Sequence, residues 1–131
     1  MDAKDAVPVV AAVVRRGDRY LLGRRPEGKR HGGLWEFPGG KVREGESRLE
    51  AARRELAEEL ALSVIALGPL LLSVRDEDSP FVIEFFETSA EGAPVALEHT
   101  EVRWFAVHEI SAIALAPADA QFVAHLVQSS G

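Results

Sequence analysis

A chain of 131 residues, 47% of them hydrophobic, holds about one domain's worth of core. No stretch approaches the ~18 uninterrupted apolar residues of a membrane span, since the most apolar region, Val64 to Val74, is split by Gly68-Pro69, and the absence of cysteine excludes disulfides and thiolate metal sites. The net charge of −6 is unevenly divided, with 13 Lys/Arg against 8 Asp/Glu in residues 1–54 and 2 against 13 in residues 55–131, which fits either two solvated faces or a cleft where basic side chains meet carboxylates around a phosphate ester and a divalent cation.

The start, "MDAKDAVP", has two acidic residues and no apolar signal region, so an unexported protein is expected, cytoplasmic by default. Val7 to Val14, "VPVVAAVV", is a β-rich run that ends at the turn Arg16-Gly17-Asp18; "RYLLGRR" resumes after it, and the two read as a hairpin. Residues 26–33, "PEGKRHGG", are loop chemistry, and "LWEF" follows as a short strand stopped by Pro38-Gly39-Gly40. Beyond a first helix, Val64 to Val74 and Phe81 to Thr88 read as strands joined across "RDEDSP", and "VRWFAV" as another. Ala118 to Val127 has apolar residues at helical spacing, with Phe122, Val123, Leu126 and Val127 on one side. No repeat, linker or low-complexity segment divides the chain, so a single domain over residues 1–131 is expected. The order strands, helix, strands, helix predicts an α+β fold with a mixed sheet between helices.

The first helix carries the chemistry. Ser47-Arg48-Leu49-Glu50 fits the Ser-x-x-Glu capping box, which places the helix start just after Ser47. Leu49, Ala52, Leu56 and Leu60 then share one stripe, and Glu55, Glu58 and Glu59 share an adjacent arc of about 100°. Two carboxylates ~5 Å apart at an effective dielectric near 20 repel by about 3 kcal/mol, so a partly buried trio must protonate, splay into water or hold a cation. Mg²⁺ suits such a site, being a hard ion that takes oxygen ligands and keeps positions open for water and phosphate. By itself "RELAEEL" also fits a solvated helix with Arg54 paired to Glu58 at i+4. The preface favours the site: Gly39-Gly40 allow close backbone approach, Lys41 sits beside them, and Glu46 follows Gly40 after five residues.

Gly40, Glu46, Arg54, Glu55, Leu56, Glu58, Glu59 and Leu62 stand at the spacings of the Nudix box, and the chain resembles the Nudix hydrolases. Ala61 departs from the pattern, standing where the motif has its last glycine; if that position needs positive φ, alanine costs on the order of 1 kcal/mol. "GRRPEGKRHGGLWEFPGGK" ahead of the box and "LEHTEVRWF" and "LAPADAQF" behind it are most similar to the MutT-type nucleoside triphosphate pyrophosphohydrolases, including the branch with CTP pyrophosphohydrolase. The resemblance implies an α/β/α sandwich around a central mixed sheet and Mg²⁺-assisted hydrolysis, with Mn²⁺ as an alternative ion. A nucleoside triphosphate would give monophosphate and pyrophosphate, with oxidised purine nucleotides cleared from the pool or cytidine nucleotides turned over. A Nudix hydrolase of ADP-ribose or a dinucleotide polyphosphate, and a catalytically silent nucleotide-binding module, are the alternatives.

By the same resemblance, Glu55, Glu58, Glu59, the carbonyl of Gly39 and the distant Glu98 would bind metal, Glu55 would orient or deprotonate the attacking water, and Arg54 would hold the acidic cluster together. Arg24, Arg25, Glu36 and Lys41 would contact substrate, and Asp119, as an ionised acceptor near the start of the last helix, would read the base or else cap that helix. Trp35 and Trp104 read as core or cleft wall. His31 lies in a loop, and His99 adjoins Glu98. The expected partner is a small nucleotide, taken by a monomer or homodimer. A nucleic acid polymer fits poorly without a net basic surface and interleaved aromatics, and no membrane partner is expected.

Overall fold

The computed structural model describes residues 6–76 and 78–130; the acidic residues Asp2 and Asp5, on which the reading of an unexported chain rests, lie outside them. The described residues form a mixed sheet of seven strands with helices on both faces. Strand β1 (Val7–Arg16) is its axis. Along one edge β1 runs parallel to β6 (Phe81–Glu91), with Val7 opposite Phe81 and Val14 opposite Thr88. Along the other it is shared: its end turns back antiparallel into β2 (Arg19–Arg24), the hairpin expected at Gly17, while Val9 to Ala11 pair antiparallel with β4 (Gly39–Lys41). β3 (Trp35–Glu36) and β7 (Glu101–Ala106) flank β2, and β5 (Ser63–Arg75) closes the far edge against β6.

Because successive side chains on a strand point to opposite faces, β1 feeds two cores. Val10, Ala12 and Val14 pack with Ala51, Ala52, Leu56 and Leu60 of helix α1 (Arg48–Leu60). Ala11 and Val13 face the other way, toward Ile110 of the short helix α2 (Val107–Ile110) and toward Ala118, Phe122 and Val123 of α3 (Pro117–Ser130). A run apolar at every position is what burial on both faces requires. Gly68-Pro69 is accommodated by irregular pairing within β5, and an edge strand tolerates proline's missing N–H. No described helix is long and apolar enough to cross a membrane.

Some details differ from expectation, β6 among them running past Thr88 to Glu91. Gly39-Gly40 do not stop a strand; they form β4, and a Cβ on Gly39 would lie 1.8 Å from the Val10 carbonyl oxygen, so only glycine can approach β1 this closely. Val107 leaves the strand predicted for "VRWFAV" and opens α2, whose first turn is held by Ala106 N–H donating to Glu109 Oε1 at 2.8 Å. In α3, Phe122 and Val123 are buried and Leu126 packs at the core's edge, but Val127 is exposed, at the end of the arc.

Helix α1 begins where the capping box places it, with Glu50 N–H donating to Ser47 Oγ at 3.0 Å and Ser47 N–H donating to Glu50 Oε1 at 2.8 Å. It ends at Ala61, which is left-handed (φ 58, ψ 32). That conformation brings the Ala61 and Leu62 N–H groups back onto the Ala57 and Leu56 carbonyls, and the chain turns from there into β5. The position therefore does need positive φ, and its alanine is strained. Ala61→Gly should raise stability by about 1 kcal/mol, or roughly 3–5 °C in Tm for a domain of this size. Thermal melts of the two proteins decide it, and an unchanged or lower Tm would contradict the strain.

Candidate active site

A cleft of about 580 Å³ opens where β4, the carboxylate edge of α1, the loop before β7 and the first turn of α3 converge. Arg54 organises its acidic side. The guanidinium donates through Nε and Nη2 to the two oxygens of Glu46 at 2.8 and 2.9 Å, through Nη1 to Glu55 Oε1 at 2.6 Å, and through Nη2 to the Lys41 carbonyl at 3.0 Å. The hydrogen bonds from Arg54, followed by that from the Arg43 N–H, hold the Glu46 carboxyl at about 2, well below the usual range. The Glu55 carboxyl is pressed against β4 so closely that a Cβ on Gly40 would lie 2.4 Å from it. The box glycine is thus the space that Glu55 occupies.

Glu59 is buried, and its carboxyl is pushed up to about 10, first by burial, then by the hydrogen bond with Glu55 and by the charges of Glu55, Glu36 and Glu98. Its Oε2 has no hydrogen-bond partner among the described residues. A carboxylate in that position must keep a proton or gain a cation, and an unpartnered buried oxygen facing other carboxylates fits a divalent metal site. Glu98 is exposed and lines the same cleft, as does Gly39. The backbone that carries Glu98 is tied to the end of α1 by Leu97 N–H donating to the Glu59 carbonyl at 3.0 Å. Glu58 differs from its neighbours: its side chain is 50% exposed, lies 3.6 Å from Arg54 Nη1, and does not line the cleft.

Phe37 and Asp119 line the cleft beyond Glu36, whose carboxylate adjoins Glu59 and also acts on Asp119. Glu36 accepts from Arg25 Nη1 at 3.0 Å through Oε1 and meets His99 Nε2 at 2.9 Å through Oε2. Glu36, Glu59 and His99 offer ligand atoms all within 4.8 Å of one another. Asp119 Oδ1 accepts from the Phe37 N–H at 2.9 Å, just beyond β3, and the carboxyl also draws on its own backbone N–H in the first turn of α3. Full burial, reinforced by the Glu36 charge and only partly offset by that N–H, lifts its carboxyl to about 8. The expectation of an ionised acceptor is therefore corrected: at neutral pH Asp119 is mostly a neutral acid that can also donate.

Of the basic residues expected from the sequence, Arg25 and Lys41 line the cleft, with Lys41 Nζ 4.9 Å from the Phe81 ring centre, and Lys29 and Arg30 line it as well. Arg24 does not; its Nε donates to the Gly33 carbonyl at 3.0 Å. Neither tryptophan lines the cleft: Trp35 meets Phe105 edge-on in the core at 5.0 Å, and Trp104 lies under the Arg16 guanidinium at 5.0 Å. The aromatic walls are Phe37 and Phe81, which the sequence reading passes over. His99 also lines the cleft, and the sequence reading notes it only as the neighbour of Glu98, without a role.

Residues 5–126 match the model of the NUDIX domain. The chain is 37% identical over 116 residues to the CTP pyrophosphohydrolase of Escherichia coli, covering 86% of this chain and 85% of that one. It is 32% identical over 133 residues to the 8-oxo-dGTP diphosphatase of Haemophilus influenzae, covering 97% and 96%. The fold superimposes on MutT, in a structure from the study of the Aliivibrio salmonicida and Vibrio cholerae proteins, with a TM-score of 0.81 at 26% identity, covering 95% and 98%.

The raised carboxyls make a prediction for the metal-free chain. Glu59 goes from 4.5 to about 10 and Asp119 from 3.8 to about 8 on folding, so between those limits the folded chain binds more protons than the unfolded one. Stability contributed by each group is complete below its unfolded pKa and is lost as pH rises toward its folded pKa, by up to about 1.4 kcal/mol per pH unit for each proton. The depressed Glu46 acts only below about 4.5, outside this range. In EDTA, Tm should fall between pH 5 and pH 8, and Glu59→Gln should flatten the fall. A Tm that stays level, or rises, in the wild type would overturn the burial of Glu59 as a protonated acid.

Proposed function

Since this chain belongs to the NUDIX domain family, we propose that it is a MutT-like nucleoside triphosphate pyrophosphohydrolase that releases a nucleoside monophosphate and pyrophosphate, acting on cytidine or 8-oxidised guanine nucleotides. The observation that carries the reading is one cleft in which clustered carboxylates continue through Glu36 to the raised-pKa acid Asp119 and the Phe37 ring. One Nudix domain accounts for residues 1–131.

Glu55, Glu59 and Glu98, with the Gly39 carbonyl and the rim residue Glu58, would hold the divalent ion, for which Mg²⁺ is the natural choice and Mn²⁺ a substitute. Such an ion, when bound, neutralises the polyphosphate and lowers the pKa of bound water. The chain's own contribution is alignment. Glu55, fixed by Arg54 against the Gly40 backbone, orients the attacking water. Lys41, on β4 beside Glu55, would meet the phosphates, whereas Arg25 is engaged with Glu36 and the Arg30 carbonyl.

The far end reads the base. A neutral Asp119 beside the Glu36 carboxylate presents a donor and an acceptor together. The N3/N4 edge of cytosine complements that pair, and so does the O6/N7–H edge that guanine acquires on oxidation at C8. Unoxidised guanine shows two acceptors on the latter edge.

A panel of nucleoside triphosphates that includes CTP and 8-oxo-dGTP, assayed with and without Mg²⁺ by ³¹P NMR, tests the assignment. Monophosphate and pyrophosphate should appear only with metal, and direct release of orthophosphate would refute the mode of cleavage. Glu59→Gln should lower turnover by roughly 10²-fold or more with the fold retained by circular dichroism. Asp119→Asn keeps a donor and should hold base preference at pH 7 within a few-fold. Asp119→Ala should lose roughly 1–3 kcal/mol of discrimination. Equal relative kcat/KM across the panel for wild type and Asp119→Ala would remove Asp119 from base recognition.

A further inference from the structure

The His99 ring lines the cleft between the Glu36 and Glu59 carboxylates and is nearly inaccessible, 3% exposed. It lies flat over Gly23 of β2, where a Cβ would come within 2.6 Å of the ring, and Gly23 is the register partner of Glu36 in β3. Strand pairing therefore sets the histidine and Glu36 side by side. Nε2 stands 2.9 Å from Glu36 Oε2 and 3.7 Å from Glu59 Oε1, so only the first is a hydrogen bond. Nδ1 is buried without a hydrogen-bond partner among the described residues.

That asymmetry fixes the proton. A proton on Nδ1, in either the other neutral tautomer or the imidazolium, would bury an unsatisfied N–H, whereas a bare Nδ1 lone pair is the milder omission. A metal ion on Nε2 would force the proton onto Nδ1, where nothing receives it, although ligating histidines almost always donate their second N–H. The trio of Glu36, Glu59 and His99 is thus better described as a hydrogen-bonded bridge than as a metal centre of its own.

We propose that His99 is a positioning residue for base selection, whose Nε2–H fixes the Glu36 carboxylate opposite the Arg25 guanidinium and so sets the plane in which Glu36 accepts from the base. Glu36 has one oxygen held by Arg25 and the other by His99, and the loss of either donor frees its carboxylate to rotate. The backbone joins this bridge to the acidic end, because His99 follows Glu98 and the Glu59 carbonyl receives Leu97 N–H two residues earlier. The inference rests on the proposed reading of the far end as the base site.

The test uses three variants that separate the donor from the bulk. In His99→Gln the side-chain amide reaches the place of Nε2; in His99→Asn it reaches only the place of Nδ1; His99→Leu fills the space without a donor. The ratio of kcat/KM between the best and the poorest nucleotide should stay within about threefold of wild type in His99→Gln. It should fall by about tenfold or more in His99→Asn and His99→Leu, the size of one lost charge-assisted hydrogen bond, and the loss should lie in KM more than in kcat. Calorimetry of the matching nucleoside monophosphates in EDTA should show the same order, independent of metal and turnover. Mn²⁺ affinity, titrated by electron paramagnetic resonance, should be alike in all four proteins. Retained selectivity in His99→Leu, or equal losses in all three variants, overturns the positioning role, and a large loss of Mn²⁺ affinity in His99→Leu makes His99 a metal ligand instead. A wild type that hydrolyses no nucleotide removes the functional reading and this one with it; a selective wild type with equally selective variants removes this one alone.

Discussion

The cleft depends on one guanidinium. Arg54 is a mostly buried cation whose donors are shared among Glu46, Glu55 and the Lys41 carbonyl, and each acceptor belongs to a different part of the site. Glu46 ends the loop before α1, Glu55 lies on α1, and Lys41 ends β4. Helix, loop and strand are thereby fastened to a single planar group. A bidentate fork gives geometric specificity that a lysine could not supply. Removing Arg54 would leave two carboxylates facing each other and a third, Glu59, nearby, and uncompensated charge of that kind is far more costly than the pair is stabilising.

The arrangement leaves the cluster electrostatically unfinished on purpose of geometry rather than composition. Arg54 compensates Glu46 and Glu55 but does not reach Glu59, which lies a full turn deeper in the cleft and is buried. Burial and then the neighbouring carboxylates favour a proton on Glu59, and burial with the Glu36 charge does the same for Asp119, outweighing the Phe37 N–H, its own N–H and the Arg25 charge. Two acids with raised pKa values thus bracket the cleft, one suited to exchanging its proton for a cation and the other to offering its proton to a base. Their different partners separate the roles: Glu59 faces carboxylates, whereas Asp119 faces the backbone of Phe37 and sits beside an aromatic wall.

The fold supports this by placing β1 at the junction. Its two apolar faces anchor α1 on one side and α2 with α3 on the other, so the helix that carries Glu55 and Glu59 and the helix that carries Asp119 are held to the same strand. β4 then lies across β1 at Val9 to Ala11 without a side chain in the way, and brings the Gly39-Gly40 backbone beneath Glu55. Strain is accepted at Ala61, where the chain must reverse from α1 into β5 in a left-handed conformation.

Local chemistry was sufficient for much of this. Ser47 and Glu50 mark the start of α1 because a capping box is satisfied within four residues, the Gly17 hairpin and the apolar stripe of α1 follow from local turn chemistry and periodicity, and the spacing from Gly40 through Glu59 was legible through its resemblance to the Nudix box. What depended on partners distant in sequence was not legible there. Gly39-Gly40 look like a strand terminator until the close approach of Val10 makes them a strand. Glu58 and Glu59 are adjacent and alike in sequence, but a 100° step on the helix leaves one half-exposed and buries the other against residues from β3 and the loop before β7. The same holds for His99 and Asp119, whose meaning comes from Glu36 and Phe37, 63 and 82 positions away. The sequence by itself determined which groups the chain carries and the elements they ride on, because those follow from short-range geometry. Only the tertiary structure decided which carboxyls lose water and which donor meets which acceptor, because desolvation and hydrogen bonding are set by neighbours in space.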